Sequence, residues 1–137
     1  MASRHEEIVR RWIDEGFSKG NVALADALVA EGLIAHTALP GQSSGREGLK
    51  KAVSTLRAAF PDLAVRIDDL ISEGDRVAVR DEIIGTHQGT FNGIAATGRK
   101  VSVGRISFYK LKDGQIAETW SQLDMAGLMR QLTSPTA

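Results

Sequence analysis

The sequence predicts an α+β fold, a cone made by a curved antiparallel sheet wrapped around three N-terminal helices. Two observations predict it. Apolar residues recur at helical period through the first half, and the second half divides into strand-length stretches joined by tight-turn signals. Helices first and antiparallel strands afterwards give a layered α+β architecture. The 137 residues fit one domain, 1–137. A domain of this size buries roughly two thirds of its unfolded chain's surface, enough for a core and a pocket.

The elements follow in order. In "SRHEEIVRRWIDEGFSKG", Ser3 and Glu6 stand at capping-box spacing, and Ile8, Val9, Trp12, Ile13 and Phe17 form an apolar face that Gly20 terminates. Asn21 is placed to cap a second helix, "VALADALVAEGL", with Leu24, Ala27 and Leu28 on one side. An irregular stretch, "IAHTALPGQSSG", follows. A third helix begins near Ser44, carries Leu49, Val53, Leu56 and Phe60 along one face, and ends at Pro61. "LAVRIDDLISEGDRVAVRDEIIGTH" then reads as two strands joined at "SEGD". "GRKVSVGRISFYKLKDGQIAETWSQLD" reads as two more, joined at "KDG", a hairpin signal. Between the pairs, "QGTFNGIAATG" holds too many glycines for a regular strand. "MAGLMRQL" is helix-like, and "TSPTA" is expected to fray.

Composition narrows the function. Seventeen basic residues balance 17 acidic ones, which argues against an electrostatic nucleic-acid binder. There is no Cys, so disulfides, thiolate metal sites and Cys nucleophiles are excluded. No apolar run approaches the roughly 20 residues of a membrane span, and the N-terminus lacks the apolar stretch of a signal peptide. The expected compartment is the cytoplasm, with no membrane partner.

The residues able to carry chemistry cluster late in the chain. Along a strand ending "TWSQLD", the side chains of Trp120, Gln122 and Asp124 share one face. A solvent face has little use for a Trp and a packed core little use for an Asp, so that face is expected to line a cavity. An Asp in an apolar cavity gains pKa by desolvation and becomes a proton acceptor near neutral pH. The competing reading is that Asp124 caps the turn that follows, as Asp often does.

Other groups have weaker claims. His36 lies in the irregular stretch, where it is placed to orient a substrate carbonyl, to pair with a carboxylate or to bond backbone. His87 closes a strand in "GTHQG" and either reaches the pocket or fixes the turn. His5 lies among charged residues at the start of the first helix. Three isolated His without a two-ligand spacing give no metal motif. Arg105 shares a strand face with Val101, Val103, Ser107 and Tyr109, as an interface residue or a pocket cation. Trp12, Phe17 and Phe60 supply aromatic surface to the core and cavity. Arg80 and Glu82 share a strand face and with Asp124 make an acid–Arg–acid set suited to activating water on an epoxide, or else form an exposed cross-strand ion pair. "GTFNGIAATG" has no Lys and no following helix, so it is not a phosphate loop.

Four stretches occur in the order of one known family: "GREGLKKAVSTLRAAFPDL" (45–63), "SEGDRVAVR" (72–80), "GTHQGTFNGIAATGRKV" (85–101) and "KDGQIAETWSQLDMAGLMRQL" (112–132). Across about residues 5–132 the chain resembles the SnoaL-like polyketide cyclases, or ester cyclases, of the nuclear transport factor 2-like superfamily. That resemblance implies a cystatin-like α+β barrel, no metal or cofactor, and ring closure of a hydrophobic substrate by intramolecular aldol condensation. It also implies that Asp124 is the acid/base group, that His36 faces the pocket and that Trp120 belongs to the cavity wall. His87 matches the motif His. Two-fold pairing through the sheet is implied too, since helices cover only one face and either Val101, Val103 and Tyr109 or Ile106 and Phe108 need other cover. The chain departs from the family at Ala96, where Pro is frequent, and at Asp81 and Glu82, where an aromatic and a hydroxyl residue are usual. Arg80, Glu82 and Asp124 are similar to the Asp–Arg–Asp set of limonene-epoxide-hydrolase-like enzymes in the same superfamily. A matching Tyr and Asn are missing, with only Tyr109, Asn21 and Asn92 present. A non-catalytic module binding an apolar ligand is the remaining alternative.

Overall fold

The structure, a computed structural model, describes residues 3–37 and 42–134. Helix α1 (Arg4–Arg11) starts on the expected capping box: Ser3 Oγ accepts from the Glu6 N–H, and the Glu6 carboxylate accepts from the Ser3 N–H. The chain then widens into a π-helical turn, Trp12–Ser18. The Trp12 ring lies where a side chain on Gly16 would project, about 2.2 Å from an ideal Cβ, so Gly is needed there. Gly20, at φ 78°, ends the turn.

The second helix is shorter than its sequence suggests. A 3-10 turn (Val22–Leu24) leads into α2 (Ala25–Leu28), and Asn21 makes no side-chain cap. Ala27 is exposed, while Ala25 and Leu28 are buried. The expected helical continuation "VAEGL" is instead extended, as β1 (Val29–Ala35), with Val29 and Leu33 buried. A β-branched residue followed two positions later by Glu-Gly resists helix and accepts a strand edge. α3 (Gly45–Ala59) begins at Ser44 and stops before Pro61 as expected.

The four expected strands are present as β2 (Ala64–Glu73), β3 (Arg76–Thr86), β4 (Lys100–Lys112) and β5 (Gln115–Leu123). Asp113 (φ 51°) and Gly114 (φ 76°) form the left-handed pair of a two-residue hairpin turn between β4 and β5. The sheet order is β1-β5-β4-β3-β2, antiparallel except that β1 lies parallel to β5. Helix α4 (Met125–Thr133) closes the described chain, and Pro135 to Ala137, expected to fray, lie outside the described residues. The irregular 87–99 segment carries one small hairpin, in which Phe91 and Ile94 exchange backbone bonds around Asn92-Gly93. No helix among the described residues is long and apolar enough to cross a membrane.

The inner face of the sheet is the core. Val77 and Val79 of β3 and Val101, Val103 and Tyr109 of β4 all point inward against Trp12, Ile13, Leu56 and Phe60. The opposite residues of the same strands, Ile106 and Phe108, are about half exposed, at 55% and 49%. Strand alternation therefore assigns each side chain to interior or exterior without intermediate choices.

The capping box gives a measurable stability test. Ser3→Ala removes the acceptor for the Glu6 N–H and is expected to lower unfolding free energy by about 1 kcal/mol, read as a lower urea midpoint with unchanged slope. A midpoint equal to the parent's would show that the cap contributes nothing.

Candidate functional site

A cavity of about 340 Å³ opens at the mouth of the cone, enclosed by Phe17, Leu49, Val53, Leu56, Ile83 and Leu123, with Met125 at its edge. Its polar lining includes Thr37, Arg105, Thr119 and Ser121. Arg105 is the only ionised side chain among the described lining residues. A mostly apolar lining around few polar groups is the usual makeup of a small-molecule site, whose volumes run from roughly 300 to 1,000 Å³.

Arg105 is held from below by Asp81. Nε donates to Oδ1 at 3.0 Å and Nη2 to Oδ2 at 2.8 Å, a bidentate pair with Arg105 9% exposed and Asp81 1% exposed. The two residues face each other across β3 and β4, in register. Phe17, delivered by the π-helical turn, packs its ring 5.0 Å from the guanidinium carbon. Burial alone would lower the Arg105 pKa, but Tyr109 and the Asp81 carboxylate outweigh it, and the net shift is upward. The Tyr109 phenol is itself pushed up by burial, against the pull of Arg105, so it is neutral near pH 7 and Asp81 carries the counter-charge. Nη1 has no partner among the described residues. It is the donor free to meet a ligand oxygen.

Hydroxyl groups extend this polar floor. Ser107 and Ser121 pair through their Oγ atoms at 2.9 Å. Thr37 Oγ1 accepts from the Ser121 N–H at 2.6 Å and donates to its carbonyl at 2.5 Å, tying the end of β1 to β5. These groups already have partners, so they tune the cavity rather than drive chemistry.

The structure corrects the face assigned to "TWSQLD". Trp120 lies opposite Phe108 and Gln122 opposite Ile106, on the outer side of the sheet, while Thr119, Ser121 and Leu123 point inward. Trp120 is therefore not in the cavity wall, whereas Gln122 is among the residues that line it. The cause is a β-bulge. Ile116 pairs with Leu111 but Glu118 pairs with Lys110, so Ala117 is an extra residue that reverses the inside–outside alternation of everything after it. Asp124 is exposed and does not point into the cavity as expected. Its Oδ1 accepts from the Gly127 N–H at 2.9 Å as the N-cap of α4.

His36 also lies outside. Its ring stacks on Trp120, with centroids 4.5 Å apart, and its Nε2 lies 2.9 Å from Glu118 Oε1. The His36 contact, with help from Lys110, lowers the Glu118 pKa against its partial desolvation. His87 is fully buried but away from the cavity. Its Nδ1 accepts from the Thr97 N–H at 3.2 Å and contacts Thr97 Oγ1 at 3.0 Å, which fixes the irregular 87–99 segment. Trp12 is ordinary core, and Phe60 lines a small apolar recess with Leu63 and Val101. Of the expected aromatic set, only Phe17 meets the cavity.

Arg80, Glu82 and Asp124 do converge, on the outside. They line an open depression of about 380 Å³ where Gly104 leaves a gap in the sheet surface. Arg80 is committed to Asp69, with Nε to Oδ2 at 2.9 Å, and Glu82 accepts from Ser102 at 2.9 Å. The exposed cross-strand ion pair expected as the alternative is what forms, between Arg80 and Asp69, and both side chains stay more than half exposed. Among the described residues, no group of three or more His, Asp or Glu is placed to hold a metal ion.

Asp81 is the site residue that the sequence marked only as a departure from the family pattern, with no role in the site. Its signal was present: Val77, Val79, Asp81 and Ile83 alternate as one apolar face broken by an acid, and Val101, Val103 and Arg105 do the same with a base.

The model of the SnoaL-like polyketide cyclase family matches residues 7–132. Aklanonic acid methyl ester cyclase DnrD of Streptomyces peucetius is 32% identical over 93 residues, covering 66% of this chain and 63% of that protein. The cyclase of the same description, DauD, from Streptomyces sp. strain C5 is 32% identical over 93 residues, covering 66% and 57%. The chain thus spans less than two thirds of the length of either relative. The structure of TsrD from Streptomyces laurentii superposes with a TM-score of 0.87 at 28% identity, covering 96% of both chains.

The buried pair makes a sharp stability prediction. Asp81→Asn strands a cation in the interior and is expected to cost about 3–5 kcal/mol, whereas the double change Asp81→Leu with Arg105→Met is expected to recover most of that loss. Denaturant unfolding of the two variants checks it, and equal losses would show that the pair is not a coupled unit.

Proposed function

The chain belongs to the SnoaL-like polyketide cyclase family, and on that premise we propose that it closes a ring in a hydrophobic polycarbonyl compound held in the interior cavity, by intramolecular aldol condensation. The observation that carries this reading is Arg105. A lone cation in an apolar cavity, with one guanidinium nitrogen free and its orientation locked by Asp81, is suited to an enolate oxygen.

The steps follow from that placement. A base removes a proton alpha to a carbonyl, leaving an enolate whose oxygen accepts from Arg105 Nη1. The enolate carbon attacks a second carbonyl of the same molecule, which the apolar walls hold close. The new alkoxide takes up a proton, so the product is an isomer of the substrate until water is lost. Asp124 is the proposed base. Its neighbours Leu123 and Met125 both line the cavity. Its carboxylate must leave the Gly127 N–H and turn toward that edge to act. This is a larger rearrangement than a carboxylate already inside the cavity would need.

A second reading is favoured by one observation: no Asp, Glu or His is among the described lining residues of the cavity. Without a base, the cavity would only hold an apolar, carbonyl-bearing ligand against Arg105. Asp124→Asn separates the readings. Asn caps a helix about as well as Asp, so α4 is retained. Turnover of a polyketide substrate is expected to fall by roughly a hundredfold or more if Asp124 is the base. Unchanged turnover would remove Asp124 from the mechanism.

The outer sheet face supports a homodimer. Ile106, Phe108 and Trp120 form an aromatic and aliphatic stripe, with Arg76 5.5 Å from the Trp120 ring centroid, and Ile106 and Phe108 are left about half exposed by the described residues. Phe108→Glu is expected to convert the pair to monomer by light scattering at micromolar concentration. A parent protein already monomeric under those conditions would count against the dimer.

A further inference from the structure

A second hollow, of about 300 Å³, opens on the other side of α3, between that helix and the small hairpin at Phe91 and Asn92. α3 turns Gly48, Lys51, Ala52 and Thr55 toward this hollow, and Leu49, Val53 and again Ala52 toward the inner cavity. Each set follows the spacing of one helix face. The faces meet at Ala52 and Leu56, both of which line both hollows. Gln42 also lines both, and Ala52 is the smallest of the three shared residues, so it is where the least side chain separates the two hollows. Gly48 keeps the upper end of the helix close to Ser43, whose carbonyl lies 1.8 Å from an ideal Cβ position.

The two hollows differ in charge. Arg105 in the inner one is already paired with Asp81, so it suits a carbonyl oxygen, or the charge that develops on it, rather than a permanently charged carboxylate. Lys51 in the outer one is exposed and makes no ion pair among the described residues, while its neighbour Lys50 is held by Asp26 and Glu47. Phe91 and Leu56 supply apolar floor beneath Lys51.

We infer that the two hollows are one two-chamber site for an elongated amphiphile. Its apolar, carbonyl-bearing part lies in the inner chamber and its carboxylate end meets Lys51 in the outer one. Ala52 is the specificity-determining position, because its small side chain sets the passage. The inference rests on the proposal that the inner cavity binds substrate, and it names the class of that substrate.

Calorimetric titration with hexanoate, decanoate and decanol tests it without requiring turnover. Decanoate is expected to bind at least about tenfold more tightly than hexanoate, because the added methylenes reach the inner chamber. Lys51→Met is expected to weaken decanoate about tenfold and leave decanol unchanged. Ala52→Phe is expected to bring decanoate down to the level of hexanoate. Thr55→Phe narrows the outer chamber from an exposed position and is expected to weaken decanoate likewise, which covers the case in which Ala52→Phe fails to fold. Decanoate binding that is insensitive to Lys51→Met, or a length preference that survives both Phe variants, would overturn the two-chamber site. Either result beside a slowed Asp124→Asn enzyme leaves the cyclase reading in place. The expected binding pattern beside unchanged Asp124→Asn turnover leaves the two chambers and removes the mechanism.

Discussion

The ion pair between Arg105 and Asp81 is the constraint on which the rest of the site depends. A guanidinium and a carboxylate at 9% and 1% exposure cannot be left to solvent, and neither can be removed alone without stranding the other. Two well-packed apolar side chains would hold the sheet at least as firmly. Retaining the pair keeps a fixed cation at a cavity whose other described lining residues carry no charge. The pair also ties the fold to the site. It requires β3 and β4 in a register that sets Asp81 opposite Arg105, and that register sends Arg80, Glu82, Ile106 and Phe108 outward.

Phe17 shows how a helix serves the same constraint. An α-helix running straight through Trp12 would turn position 17 by a different angle. The π-helical turn adds a residue to the ring, and Gly16 makes room for the Trp12 indole beneath it. The result is an aromatic ring 5.0 Å from the guanidinium carbon. Ring and carboxylate together restrict the guanidinium and leave Nη1 without a partner among the described residues.

Much of the fold was legible because its signals are local. The Ser3–Glu6 capping box, Gly20, Pro61 and the Asp113-Gly114 turn each fix an element boundary through a backbone preference of one or two residues. β1 was not legible, because "VAEGLIA" is amphipathic in both periods and becomes a strand only where β5 offers an edge. The site was less legible for the same reason. Ala117 is one inserted residue with no sequence mark, yet it exchanges the faces of Trp120 and Ser121. Arg105 was correctly placed on the Val101–Val103 face, since no bulge interrupts β4 before it. Asp81 had the same alternation signal, but between the charged Arg80 and Glu82 it read only as a departure from the family pattern.

The bulge also separates the sheet's two chemistries. Before Ala117, Ile116 belongs to the core; after it, Thr119 and Ser121 take the inward positions and Trp120 goes out to stack on His36. Without the extra residue, Trp120 would project into the volume that the cavity occupies, and the hydroxyls would face water. The cavity therefore exists partly because β5 changes phase halfway along. The same phase change carries the strand's end to Asp124 at the rim, where one carboxylate holds the start of α4 beside two cavity-lining residues. If Asp124 is the base proposed above, the movement it needs is confined to a helix terminus, the least cooperative part of a helix.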